Sequence, residues 1–269
     1  MLNLVKSDFY RIIKSKLSIA LLIVIFCFSF LTSGLYSLVI EYAKYSGESI
    51  AEFQGMLTGS YVFRSSFTMS NNVGLIIPII SSLFVCGDVS NGILRNKVIS
   101  GHPRWMIYVS HLITNACFSG VMVFINALLN LFFGTLLLGY GSSFNGTQLI
   151  FILQMILLGL LTYMFVATIS TFLSLTLKST PSVVIVLVFV ILILTFMTNI
   201  PSFFSESIFN KYENFFYLIP EYSLYSGIFS ANNGALSLEC MLIGIFSYLL
   251  FGGVFTGVGI AFFKFKDIK

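Results

Sequence analysis

The chain has 269 residues, of which 57% are hydrophobic and only 9% charged, with 30 phenylalanines and a net charge of +4. A soluble domain devotes about a quarter of its residues to charge. This much apolar surface excludes a water-soluble fold and places the chain among integral membrane proteins.

The leader, residues 1–16 (MLNLVKSDFYRIIKSK), is amphipathic. Leu2, Val5, Phe9, Ile12 and Ile13 recur at helical spacing, while Lys6, Asp8, Arg11 and Lys14 take the other side. The pattern fits a helix lying in the cytoplasmic headgroup plane; the alternative is a positive flank that only fixes topology. The apolar run behind it is too long for the core of a signal peptide, and no small-residue cleavage site follows.

A bilayer core about 30 Å thick is crossed by roughly 20 apolar residues in helix. Six segments meet that length: 17–40, 67–86, 106–138, 149–177, 181–200 and 240–263. Barrel-type alternation is absent. The expected fold class is therefore an all-α integral membrane protein of six transmembrane helices with an N-terminal interfacial helix, and one membrane domain spans 1–269.

The connectors are short. Residues 41–66 form an outside loop too weakly patterned for a folded domain, 139–148 a tight uncharged turn, and 178–181 an inside turn in which Pro181 opens a helix. Residues 201–239 mix aromatics with acids around Pro220 and are too polar to span. They read either as short aromatic helices re-entering the outer interface or as a loop packed over the bundle mouth.

Orientation follows from the cations. With the N-terminus inside, Lys6, Arg11, Lys14, Lys16, Arg95, Lys97, Arg104, Lys178, Lys264, Lys266 and Lys269 are cytoplasmic, 11 of the 14. Only Lys44, Arg64 and Lys211 fall outside, so both termini are expected in the cytoplasm. The net charge reflects this topology and gives no sign of nucleic-acid binding.

Chemistry in the spans is sparse. No Asp, Glu, Lys or Arg lies deep in any of them, and His111 is the one ionisable candidate, so proton coupling is not expected. The chain has no H-E-x-x-H, no nucleophile elbow and no P-loop. Cys27, Cys86, Cys117 and Cys240 lack metal-ligand spacing, and no metal site is expected.

Polar residues do align in the third span: His111, Asn115, Ser119, Asn126 and Asn130 fall within roughly a third of the helix circumference. That face serves either helix–helix hydrogen bonding or a translocation route or partner subunit. Gly253 and Gly257 form a G-x-x-x-G pair, which reads as close helix packing.

The exception to all this oiliness is "GDVSNGILRNKVISGHPRWMIYVSHL", residues 87–112. Asp88 is placed to cap a short helix, with Val89 and Ile93 on its apolar side and Gly92 allowing close approach. Arg95, Asn96 and Lys97 supply donors toward water. Gly101 and Pro103 break the chain before Arg104 and Trp105 anchor the next span at the interface. The result is a protruding helix–turn on which a partner can dock.

This segment resembles the loop between the second and third spans of type-2 ABC exporter permeases, including peptide-export and lantibiotic-immunity permeases. Those read as an acid, a glycine, a basic-Asn pair, a further glycine, a basic residue, Tyr, Ser and a basic residue. Asp88, Gly92, Arg95-Asn96, Gly101, Arg104, Tyr108 and Ser110 match; His111 departs, since the family often has lysine there. The leader, the six spans and the aromatic segment before the last span extend the resemblance over most of the chain.

The resemblance implies an ATPase-coupling loop at 87–105, with Asp88, Asn91, Gly92, Arg95, Asn96, Gly101 and Arg104, seated in a groove of a cytoplasmic P-loop ATPase. It implies two ATPase copies and a second permease subunit, identical or different. This chain would be non-catalytic and bind no cofactor, with ATP and Mg held by the ATPase. The expected activity is ATP-driven export of amphipathic peptides, or of lipid-like or drug cargo, across a bacterial plasma membrane. The competing classes are a self-contained channel or carrier and a membrane-embedded enzyme without a recognisable site.

Overall fold

The computed structural model describes residues 1–46, 57–141, 145–177, 179–203, 215–229 and 237–265. Its helices are α1 (Leu2–Ile13), α2 (Lys16–Ser46), α3 (Gly59–Ser65), α4 (Asn72–Ser90), α5 (Ile93–Ile99), α6 (Arg104–Leu138), α7 (Gly146–Thr176), α8 (Thr180–Asn199), α9 (Tyr222–Phe229) and α10 (Leu238–Phe265), with a 3-10 turn at Ile200–Phe203. Six of these, α2, α4, α6, α7, α8 and α10, are long and apolar enough to cross a membrane. A helix satisfies its backbone groups within one segment and without water, so such continuous apolar sequences settle into this form in lipid. The chain is an all-α, multi-pass membrane protein.

Phenylalanines and leucines cover the outside of the bundle: Phe26, Phe30, Phe132, Phe189, Phe196 and Phe246 are all exposed. In lipid that surface costs nothing, so interhelical packing depends instead on small and polar residues. α7 shows this most clearly, burying Thr162, Ser170, Thr171 and Ser174 among neighbours from α4, α6 and α10. At Gly159 a Cβ would stand 2.1 Å from the ring of Phe67, which fills the space a side chain would need.

Gly253 and Gly257 behave differently from the packing expected of them. Apart from the flanking residues and the backbone of α10 itself, no atom of the described residues lies within 4 Å of a Cβ at either position, so neither glycine packs against another helix. The glycines of α10 that do admit close neighbours are Gly244, where a Cβ would meet Ser223 Oγ at 2.5 Å, and Gly259, where it would meet the Tyr108 hydroxyl at 2.0 Å.

Three further elements depart from the expected boundaries. α2 runs on through Glu41 and Lys44 to Ser46. The supposed outer loop contains α3, whose Gly59 donates its N–H to Gly139 carbonyl at 2.8 Å and presses against α6. Finally, α4 begins at Asn72 rather than at 67. Phe67 and Met69 sit in a turn yet are fully buried. Hydropathy cannot separate an apolar residue buried in a turn from one facing lipid.

The element ends gather into two groups. α1 and α5 meet the C-terminus of α4 and the N-terminus of α6 at one end, where Arg104 Nη1 also donates to Lys264 carbonyl of α10 at 3.0 Å. At the opposite end α3 and α9 cover the bundle, and Tyr225 hydroxyl donates to Asn199 Oδ1 at 2.9 Å. Lys178, Lys211, Lys266 and Lys269, used in the orientation argument, lie outside the described residues.

Candidate functional site

α1 has three faces. Leu4, Asp8 and Ile12 are buried against the bundle, Leu2 and Ile13 are exposed apolar residues, and Lys6 and Lys14 are exposed cations. The amphipathic reading assigned Asp8 to the polar face. The structure instead buries it to 1% exposure, because its carboxylate is the hub of an ion cluster.

Asp8 accepts from Lys97 Nζ at 2.7 and 2.8 Å, from Ser110 Oγ at 3.1 Å and from Arg11 Nη2 at 3.3 Å. Arg11 reaches onward to Asp88 Oδ2, which also lies 3.5 Å from His111 Nδ1. Lys97 Nζ closes the ring with His111 Nε2 at 3.2 Å. Four helices, α1, α4, α5 and α6, are thereby tied at one point by groups that are mostly desolvated. Buried charges need such mutual pairing to be tolerated at all.

This geometry corrects two expectations for the 87–112 stretch. Asp88 does not cap the short helix; it belongs to the last turn of α4, and the N-cap of α5 is Gly92 at φ 69°. Lys97 does not face water; its side chain is 10% exposed and points at Asp8. The cause is the helical period: with Leu94 buried, Lys97 follows three residues later on the same side.

Asn91, Arg95, Asn96 and Gly101 are exposed, while Gly92 and Arg104 are half-buried. Arg95 and Asn96 thus project outward from a helix whose other side is anchored. Gly101, at φ 83°, supplies the left-handed turn that returns the chain to α6.

The polar face of α6 is buried along its length. Asn115 Nδ2 donates to Ser170 Oγ and Thr171 Oγ1 of α7, both at 2.9 Å. Asn126 Nδ2 donates to Ser66 carbonyl at 3.1 Å, beyond α3. Asn130 Nδ2 donates to Ser29 Oγ of α2 at 3.2 Å and to Asn126 Oδ1 at 3.0 Å. Ser119 Oγ and Asn115 Oδ1 are buried without a hydrogen-bond partner among the described residues. Next to this ladder, α6, α7 and α10 border an open apolar groove of about 350 Å³ lined by Leu112, Ala116, Met164, Phe165, Leu249 and Gly253.

At the opposite end the structure reveals residues that sequence reasoning treated only as outside charges. Arg64 of α3 is buried, its Nε donating to Ser60 carbonyl at 3.1 Å and its guanidinium lying 5.6 Å from the Phe151 ring. Glu221, just before α9, is also buried. Its Oε1 accepts from Met69 N–H at 2.9 Å, and burial pushes the carboxyl up to about 7 although that hydrogen bond pulls the other way. Neither carries a local signal in the sequence, since both lie in segments that look like loops. Residues 204–214 and 230–236, the rest of the aromatic outer segment, lie outside the described residues.

Among the described residues no group of three or more His, Cys, Asp or Glu converges as a metal site would. No protein-family model matches the chain, and no curated protein sequence matches it.

Proposed function

We propose that this chain is the membrane subunit of an ATP-driven exporter, and that the exposed edge of α5 is the handle through which a separate cytoplasmic P-loop ATPase moves it. The observation that carries the reading is the asymmetry of α5. Arg95 and Asn96 face outward, while Lys97 on the same seven-residue helix is locked into the cluster of Asp8, Arg11, Asp88 and His111. A helix so anchored transmits force to α1, α4 and α6 together, whereas a free loop would absorb it.

The cation distribution assigns this end to the cytoplasm and both termini with it. The three-faced α1 suits the lipid–water boundary: it packs on α6, offers Leu2 and Ile13 to lipid and Lys6 and Lys14 to headgroups. The chain carries no P-loop, so ATP and Mg belong to the ATPase, two copies of which would pair with this subunit and a second permease. The apolar groove and the lack of Asp, Glu, Lys or Arg deep in the spans favour amphipathic peptides or lipid-like molecules as cargo, exported from a bacterial plasma membrane.

The test is purification of the tagged chain from its own host into lipid nanodiscs. Magnesium-dependent ATP hydrolysis is expected in the preparation, and it is expected to drop out when Arg95→Glu and Asn96→Asp are combined, with insertion and helicity unchanged. Cargo flux by the chain alone, in vesicles free of nucleotide, would contradict the reading and favour a self-contained channel or carrier.

A further inference from the structure

Glu221 occupies a strained and crowded position. Its backbone has φ 74°, the left-handed region that non-glycine residues seldom adopt, and it is the sole such residue among those described. Strain of this kind persists only where the surroundings over-determine it. Here the Glu221 N–H donates to Tyr248 hydroxyl of α10 at 3.0 Å, its carbonyl accepts from Tyr225 N–H at 2.9 Å, and Oε1 accepts from Met69 N–H at 2.9 Å. Two distant segments and the first turn of α9 hold one residue.

Glu221 is 3% exposed, and its second carboxyl oxygen, Oε2, has no hydrogen-bond partner among the described residues. Among the described residues no ion pair reaches Glu221. The titratable groups facing it are Tyr163 of α7 and Tyr248 of α10, phenols that ordinary pH leaves uncharged. Its own helix, α9, carries the phenols Tyr222 and Tyr225 but no acidic or basic side chain, and Met69 contributes a backbone amide. Arg64 of α3 is engaged with Ser60 and the Phe151 ring.

A carboxylate anion with one hydrogen bond and no cation is poorly tolerated in such a place. The neutral acid carries no charge to desolvate and is far better tolerated there. We propose that Glu221 is a proton-binding site that latches the segment 215–229 onto the α3–α4 link, α7 and α10, at the end of the bundle opposite the ion cluster. The carboxyl is sealed when the segment is docked, so gaining or losing the proton requires the segment to lift. Proton binding and docking are therefore linked.

The sign follows from burial. The docked carboxyl titrates near 7 and the free one near its ordinary 4.5, so the docked state holds the proton more tightly. Docking is fully supported below about 4.5, weakens as pH rises through the window up to about 7, and is flat above it. Between pH about 5.5 and about 8 the docking constant should fall on the order of thirtyfold.

The experiment is hydrogen–deuterium exchange on the full chain in lipid nanodiscs, following amides 222–229 at those two pH values after correction for intrinsic exchange. Wild type is expected to lose protection on the order of thirtyfold at the higher pH, and Glu221→Gln, which stays neutral, is expected to show no pH dependence there. Wild-type protection that does not change with pH overturns the proposal without recourse to the variant. So does a Glu221→Gln protein that retains the wild-type pH dependence. Restoration of protection at the higher pH by sodium chloride, but not by choline chloride, would also overturn it by marking a cation site instead.

Discussion

Replacing Asp8 with alanine tests the ion cluster that anchors α5. Asp8 accepts both Lys97 contacts, at 2.7 and 2.8 Å, and is 1% exposed, so these bonds are shielded from water and salt. The Arg11 contact is longer, at 3.3 Å, and the Arg11 side chain is 37% exposed. That leg contributes at most about 1 kcal/mol. Removing the carboxylate strands the Lys97 ammonium beside His111, whose imidazole offers a hydrogen bond but no negative charge. Breaking a buried pair from one side costs about 3 kcal/mol at the low end, which is roughly a 150-fold shift in the local equilibrium. Amide exchange in α1 and α5, measured in nanodiscs, should rise by about that factor. Asp8→Leu combined with Lys97→Met removes both charges and should restore protection to within about 1 kcal/mol of wild type. Unchanged protection in Asp8→Ala, or a double variant as damaged as the single one, would refute the clamp.

Other outcomes follow from the same geometry. Gly159→Ala drives a methyl into the Phe67 ring and should cost about 1–3 kcal/mol of thermal or denaturant stability, whereas Gly253→Ala, with open space around it, should not destabilise the isolated chain. Asn115→Ala removes the bonds to Ser170 and Thr171 and should cost about 0.6–1.7 kcal/mol, the range for interhelical hydrogen bonds in membranes. Arg95→Ala should leave stability within about 0.5 kcal/mol, since the side chain is exposed, yet reduce ATP hydrolysis in the host-purified preparation.

The six spans were legible because length and hydropathy decide membrane crossing almost alone, and α6 and α7 follow their apolar stretches closely. Finer structure was harder to read. The start of α4 was misplaced because Phe67 and Met69 are as apolar as any lipid-facing residue, although they are buried in a turn. α3 was invisible because a seven-residue helix has too few turns to show a period, and its docking rests on a glycine contact with α6.

The candidate site was half legible. Periodicity put Asp8 on the polar side of α1 but could not tell water from a buried counter-ion. The exposed Arg95 and the inward Lys97 look alike as residues, and they part only because Leu94 fixes which side of α5 is down. Glu221 carried no pattern at all: its burial depends on α7 and α10, far away in the chain. The amides of α6 were recognisable as one face, but their acceptors on α2 and α7 appear only once the helices are packed.

The central claim is that the outer edge of α5 faces the cytoplasm and receives force from an ATPase. A photo-crosslinking amino acid at position 95, activated in membranes of the host and followed by mass spectrometry of the adduct, tests it directly. The account predicts a covalent partner peptide from a polypeptide that carries a P-loop. Labelling of position 95 by an impermeant reagent added outside intact cells would contradict it.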